Sequence, residues 1–502
     1  MGKSVCVIGG GIAGLNAGIE LLQHGYDVTL FEKNNEVGGL CSGYSVDGYS
    51  IDACLHWLMG TKKGTTLNAL WRNIDALNDD VEVSHLPYFC TAIYQGTKVT
   101  FGRDLDEEEA RWKAISPKDE AAIEGFFESV RGMSQLWVLT QSEKHPRLSM
   151  KLISTLPKPA RIYGAIRKSR KDYAKRFTHP ALRFAIQNAM TGYNNAFFFL
   201  LVYGLFASGD GDVPYGGAEA MVRRIKARYL SLGGKLYLNS PVTRLKGDGK
   251  RIEYAESGKN LVKADYFVAG LDPHILFTSL LEGKRMPHTY KHLDKDIKDH
   301  TVSGCFCVYV RVKGFKGDID TPTAIVIPKV RVGKKKVGSL LVRPYGFDPL
   351  VQKKGATVIS LFVDQDQDDY AYFLKKENPK KENRRIVKEL VESFLNAYPQ
   401  YRGKTEVLDS FGPLELHERT GTSFGSIQSY SFTAKGSFYS NSGKVSGLDN
   451  LYFCGQWNRA IGGTPTALLT SHEVVKKLLR KERGIVHKGA KLLSKITKRK
   501  RK

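Results

Sequence analysis

The chain has 502 residues and a formal net charge of +25, from 76 basic and 51 acidic side chains. A single core stops growing well below that length, so two intertwined domains are expected. A 42% apolar fraction and 50 glycines are ordinary for an α/β protein and exclude a disordered or fibrous chain. The seven cysteines (Cys6, Cys41, Cys54, Cys90, Cys305, Cys307 and Cys454) show no C-x-x-C spacing, and no histidines cluster at ligand spacing. They read as reduced core thiols in a cytoplasmic protein, with no metal site and no disulfide framework.

In chain order, Val5-Cys6-Val7-Ile8 is a short apolar strand, followed at once by Gly9-Gly10-Gly11-Ile12-Ala13-Gly14. A helical pattern runs to about His24, and Asp27-Val28-Thr29-Leu30-Phe31 is a second strand that ends in Glu32. Strand, G-x-G-x-x-G, helix, strand and acidic residue together form a dinucleotide-binding fingerprint. Gly9 permits the tight turn, Gly11 lets the backbone approach a pyrophosphate, and Gly14 lets helix and strand pack. The N–H groups of Ile12 and Ala13 lie at the positive end of the helix dipole. Glu32 is placed to accept hydrogen bonds from ribose hydroxyls.

Glu32-Lys33-Asn34-Asn35-Glu36-Val37-Gly38-Gly39 adds a glycine pair six residues after the acidic residue. This resembles the extended signature of the flavoprotein superfamily that includes amine oxidases and phytoene desaturases, in which FAD lies extended through the domain. The segment Gly447 to Ala467, with Gly455, Trp457, Arg459 and Gly463-Thr464-Pro465, is similar to the carboxy-terminal flavin segment of the phytoene desaturase, carotenoid isomerase and retinol saturase group. In that group this helix N-terminus faces the flavin pyrimidine. Two internal stretches extend the resemblance: Gly211 to Val242, where Val242 would reach the adenine through its backbone, and Ala264 to Pro273, which returns the chain through the flavin domain.

The implied architecture is α/β: a Rossmann-like FAD-binding domain (1–100, 207–290 and 420–480) interleaved with a substrate domain of mixed sheet plus helices (101–206 and 291–419). The β-branched runs 301–313, 322–327, 337–343 and 356–363 supply the substrate-domain sheet, with Cys305 and Cys307 facing one side of it. Ala196 to Ala207 is the longest apolar stretch, too short to span a bilayer. It reads as a buried helix that could border a substrate tunnel. The chain enters its first strand by residue 4, which leaves no room for a signal peptide.

Charge concentrates in two places. Residues 144–176 carry a net +10 and residues 476–502 a net +12. In the tail (481–502, with the turn before it), Leu478-Leu479, Ile485-Val486 and Leu492-Leu493 recur every seven residues, the pattern of a helix lying on an anionic membrane surface. Gly484 and Gly489 work against that helix. The tail after Arg480 has no aromatic residue for base stacking, which argues against nucleic acid. The expected location is cytoplasmic, peripheral on the inner face of a membrane.

The chemistry is carried by fewer residues. Phytoene desaturases usually show Asp-x-Gly-Pro after the glycine pair. Here Asp52 is kept, but Cys54-Leu55 replace the glycine and proline, and His56-Trp57 follow. Retinol saturases and many bacterial relatives resemble this chain in carrying a histidine there. His56 is the catalytic candidate, since an imidazole titrates in the physiological range; the alternative is a purely structural hydrogen bond. Trp57, Tyr193, Trp457 and Arg459 are the candidates to contact substrate. The resemblance implies an FAD-dependent oxidoreductase that desaturates, saturates or isomerises carbon–carbon double bonds of a long apolar, isoprenoid- or carotenoid-like substrate, with NAD(P)H or a quinone as electron partner. A flavin amine oxidase and a non-catalytic prenyl-lipid binder are the alternatives.

Overall fold

A computed structural model describes the chain except residues 1, 54, 142–158, 193, 352–354, 461 and 500–502; for 159 and 485–499 only the backbone is described. The substrate candidate Tyr193 and residues 144–158 of the first basic segment therefore lie outside the described residues.

Two sheets organise the molecule. The first is a five-stranded parallel sheet in the order Leu451–Phe453, Tyr266–Ala269, Ser4–Ile8, Asp27–Phe31, Lys235–Tyr237. Its strands are apolar on both faces because both are covered, as parallel sheets require. Helix Ile12–Gln23 packs on one face beside the terminal helix Thr464–Arg499. Asn16 joins the two helices by donating to Ser471 Oγ at 2.8 Å, and His472 Nδ1 lies 2.9 Å from Glu20.

The second sheet has eight strands and both senses of pairing. Its path runs Thr405–Phe411, Ser303–Lys313, Ala356–Gln365, Lys335–Pro344, Thr323–Val332, Tyr88–Tyr94, Thr97–Gly102, with Ser426–Gln428 paired to the second of these. The alternation of side chains separates two cores. Phe306, Val308 and Val342 face helix Pro379–Ala397, whereas Cys305, Cys307, Leu341 and Phe362 face the aromatic layer built by helices Glu120–Gln141 and Ala196–Ala207. The two cysteines share one side, and helix Ala196–Ala207 is almost wholly buried, as the sequence predicts.

Two expectations change. Strands Tyr88–Tyr94 and Thr97–Gly102, placed by sequence inside the first flavin segment, belong to the large sheet, where Thr91 pairs in parallel with Thr323. The terminal helix runs unbroken through Gly484 and Gly489 to Arg499. Leu478 is fully buried and Leu479 packs beside it against the flavin-domain core, so that pair is not available to a surface stripe. No helix among the described residues is long and apolar enough to cross a membrane.

Candidate functional site: two joined cavities

The glycine loop has the shape the fingerprint requires. Gly9 has φ +95°, in the region that favours glycine. A Cβ on Gly11 would meet no protein atom closer than Gly38 O at 3.9 Å, so the protein itself places no demand for glycine there. A side chain at that position would project into the cavity instead. The helix that starts at Ile12 has no side-chain cap, which leaves its N-terminal dipole turned to the same space. Gly11 bridges to Gly38, and a Cβ on Gly39 would lie 3.3 Å from the Gly11 Cα, so the second glycine pair forms the opposite lip.

This cavity collects almost every expected cofactor residue. Gly9, Gly11, Ile12 and Ala13, then Glu32 and Lys33, Gly38 and Gly39, Val242, Gly455, Gly463 and Thr464 all line it. Gly14 lies behind the loop, and Pro465 faces a neighbouring cavity instead. Glu32 Oε2 accepts from Gly10 N at 2.7 Å and Oε1 from Asn34 N at 2.9 Å, so the carboxylate first fixes the loop and keeps further lone pairs for a ribose. Lys33 donates to Glu418 O at 3.0 Å, tying this wall to helix Pro413–Thr420. An extended cradle with an uncapped helix N-terminus and a buried acidic residue fits FAD.

Trp457, expected to wall the substrate channel, borders the cofactor cavity, where it is 3% exposed and packs edge-on against Tyr430 and His274. Arg459 lines neither cavity and pairs with Glu473 at 2.6 Å. The sequence misplaces both because a tight turn sends successive side chains in different directions.

The second cavity adjoins the first, sharing Leu40, Ile427, Gly463 and Thr464 with it. His56 and Trp57 line it, together with Met59, Phe89, Leu341 and Phe362. Asp52 builds the turn that delivers His56: it accepts from Leu55 N at 2.7 Å and from Ala218 N at 2.9 Å. A Cβ on Gly217, whose φ is +57°, would fall 2.3 Å from Asp52 Oδ2, which accounts for the glycine pair 216–217. His56 has no hydrogen-bond partner among the described residues, and its ring meets Phe362 edge-on at 5.4 Å. Burial, and then the positive charge of Arg343, hold its pKa well below the usual histidine value, so the imidazole is neutral.

Sequence reasoning missed Arg343 and Gln428, which line the same cavity. The available signal was a basic residue inside the apolar run Leu340-Leu341-Val342-Arg343, on the same strand face as Leu341.

The fold and cavity define a flavin-type α/β oxidoreductase, and the comparisons agree. The chain matches the family of flavin containing amine oxidoreductases over residues 12–479 and belongs to it. It is 24% identical to a zeta-carotene-forming phytoene desaturase of Myxococcus xanthus, covering 95% of this chain and 94% of that protein. It is 26% identical to a carotenoid 3,4-desaturase of Haloarcula japonica, in a match that covers 37% of this chain and only 38% of the relative. Among solved structures, a putrescine oxidase variant aligns over 95% of this chain and 99% of its own, with TM-score 0.60 at 14% identity. An oxidoreductase from Methanosarcina mazei aligns over 95% of this chain and 100% of its own, with TM-score 0.58 at 15% identity. At such identities the structural likeness speaks to the fold.

Proposed function

We propose that this flavin-family oxidoreductase acts on a carbon–carbon double bond of a long, largely apolar substrate, isoprenoid- or carotenoid-like. The observation that carries the reading is the second cavity: aromatic and aliphatic side chains line it, and it opens onto the cofactor cavity at Gly463–Thr464. When bound, FAD would supply a two-electron hydride acceptor or donor. The chain's own residues hold the substrate chain against it and keep water out, which hydride transfer needs more than it needs strong acids or bases. His56, neutral in the wall of the second cavity, is suited to hold or relay one proton rather than to carry charge. The similarity to carotenoid desaturases supports the same reading.

An amine substrate suits this cavity less well. No carboxylate is among its described lining residues, and the one permanent charge among them is the Arg343 cation, which repels an ammonium group. The purified protein is expected to be yellow. Its flavin spectrum, followed without oxygen, should respond to polyene lipids and not to amines, while NADPH, NADH and quinones are compared as electron partners. A colourless protein, or bleaching by amines alone, overturns the reading.

A further inference from the structure

We propose that the second cavity is built for a substrate that carries a carboxylate on its apolar, unsaturated chain, and that the Arg343 guanidinium holds that carboxylate. The inference rests on the function proposed above and adds the polar end of the substrate.

Arg343 sits on strand Lys335–Pro344, in the interior of the eight-stranded sheet, opposite Ser360 of the neighbouring strand. It is 6% exposed, and its Nε and Nη1 have no hydrogen-bond partner among the described residues. No carboxylate among them lies within ion-pair distance of it. Arg170, the other buried arginine near this cavity, makes the contrast. Its Nε is also without a partner, but its Nη1 donates to Met190 O, and the charge of Asp364 acts on it. A buried guanidinium without hydrogen bonds is among the costliest arrangements in a protein interior. A bound ion or ligand is one of the few arrangements that accounts for such a group in a native interior.

The rest of the wall fits the same ligand. Trp57, Met59, Phe89, Leu341 and Phe362 present apolar surface to a hydrocarbon chain. The Gln428 amide, whose oxygen is buried without a partner, can turn its N–H groups to the second carboxylate oxygen. His56 stands beside Arg343 as a neutral imidazole and so leaves the cation free to act on the ligand. A plain hydrocarbon would leave the guanidinium unpaired, and a carboxylate satisfies it with charge-assisted hydrogen bonds.

Trp57 in the cavity wall gives a binding signal that needs no turnover. Quenching of tryptophan fluorescence would be titrated on the full-length protein with arachidonic acid, its methyl ester and arachidonyl amine below their critical micelle concentrations. Flavin content is read separately from the visible spectrum. The acid should bind about tenfold or more tightly than the ester, and the amine most weakly. Arg343→Gln should abolish the preference for the acid, and Arg343→Lys should keep part of it. Should Arg343→Gln fail to fold, the wild-type ranking and Arg343→Lys decide alone. Equal binding of acid and ester by the wild type overturns the inference, as does an acid preference that survives Arg343→Gln. A yellow protein without acid preference leaves the proposed function standing and removes the carboxylate. A colourless protein that still prefers the acid does the reverse.

Discussion

A Cβ on Gly14 would lie 2.0 Å from the carbonyl oxygen of Gly9, whereas a Cβ on Gly11 would touch no protein atom closer than 3.9 Å. The glycines of one loop are thus required by different partners: Gly14 by the protein, Gly11 by the cofactor. Gly14→Ala should lower thermal stability of the apoprotein by about 1–3 kcal/mol, the range for overpacking. Gly11→Val should leave the melting temperature of flavin-free protein nearly unchanged while FAD binding is lost. A Gly11→Val variant that retains full FAD occupancy overturns the cofactor assignment.

His56→Phe should keep FAD bound, because His56 does not line the cofactor cavity, while turnover falls about 10²-fold if the imidazole handles a proton. The depressed pKa makes a second statement. Between pH 6 and 8 wild-type turnover should show no step attributable to this histidine, since it is already neutral throughout that interval. Near-normal turnover in the variant would identify His56 as a wall of the cavity only.

His274 behaves in the opposite way. Burial pulls its pKa down, but hydrogen bonds and charge from Asp272 and Asp294 outweigh burial and lift it to about 10. Its Nδ1 lies 3.0 Å from Asp272 Oδ1, and its Nε2 lies 3.0 Å from Asp294 Oδ1. Ser423 Oγ is 2.9 Å from Nδ1, so the cation also anchors the segment whose Thr420 and Thr422 border the cofactor cavity. A base raised in the folded state contributes stability that is complete below its unfolded value, about 6.5, and lost as pH climbs through 10. Denaturant midpoints should therefore decline between pH 8 and 10.5 in the wild type and less so in His274→Leu. At pH 7 that variant should lose about 1.5–3 kcal/mol, the range for hydrogen bonds to charged groups, and bind FAD more weakly. A wild-type midpoint that holds steady to pH 10.5 would count against the protonated network.

The basic end of the chain is proposed to rest on an anionic membrane surface. Deleting residues 484–502 removes eight basic side chains and leaves Glu482, which accepts from Tyr266 and pairs with Lys3 at 2.6 Å. The truncated protein should keep its FAD and melting temperature and stop co-sedimenting with anionic vesicles, since each basic residue near such a surface adds about 1 kcal/mol. Binding by the full chain should weaken as salt rises. By contrast, Leu478→Ala should cost about 2–5 kcal/mol of fold stability, because that residue is fully buried. Full-length protein that ignores anionic vesicles at low salt removes the proposal.

What the sequence made legible was local. The glycine loop, Glu32 and the turn at Gly463 each occupy a few consecutive residues whose spacing is set by backbone geometry. The strands from Ser303 to Gln365 were readable from β-branched runs for the same reason. Tyr88–Tyr94 was grouped with the flavin domain because its partner, Thr323–Ile325, lies more than 200 residues away, and nothing local encodes that pairing. Leu478 was read as a surface residue because a heptad pattern does not say which face meets the core. Arg343 escaped notice because charge alone does not reveal that a strand interior buries it without a partner.

The helix whose first turn borders both cavities is also the helix that carries the basic end of the chain. At about 1.5 Å per residue, the 36 residues from Thr464 to Arg499 reach roughly 54 Å. Whatever grips the far end of that rod therefore sets the tilt of the flavin chamber. If a membrane surface holds that end, the mouth of the chamber is aimed by a lever and not by a tether, and lengthening or kinking the rod should redirect the enzyme without altering its chemistry.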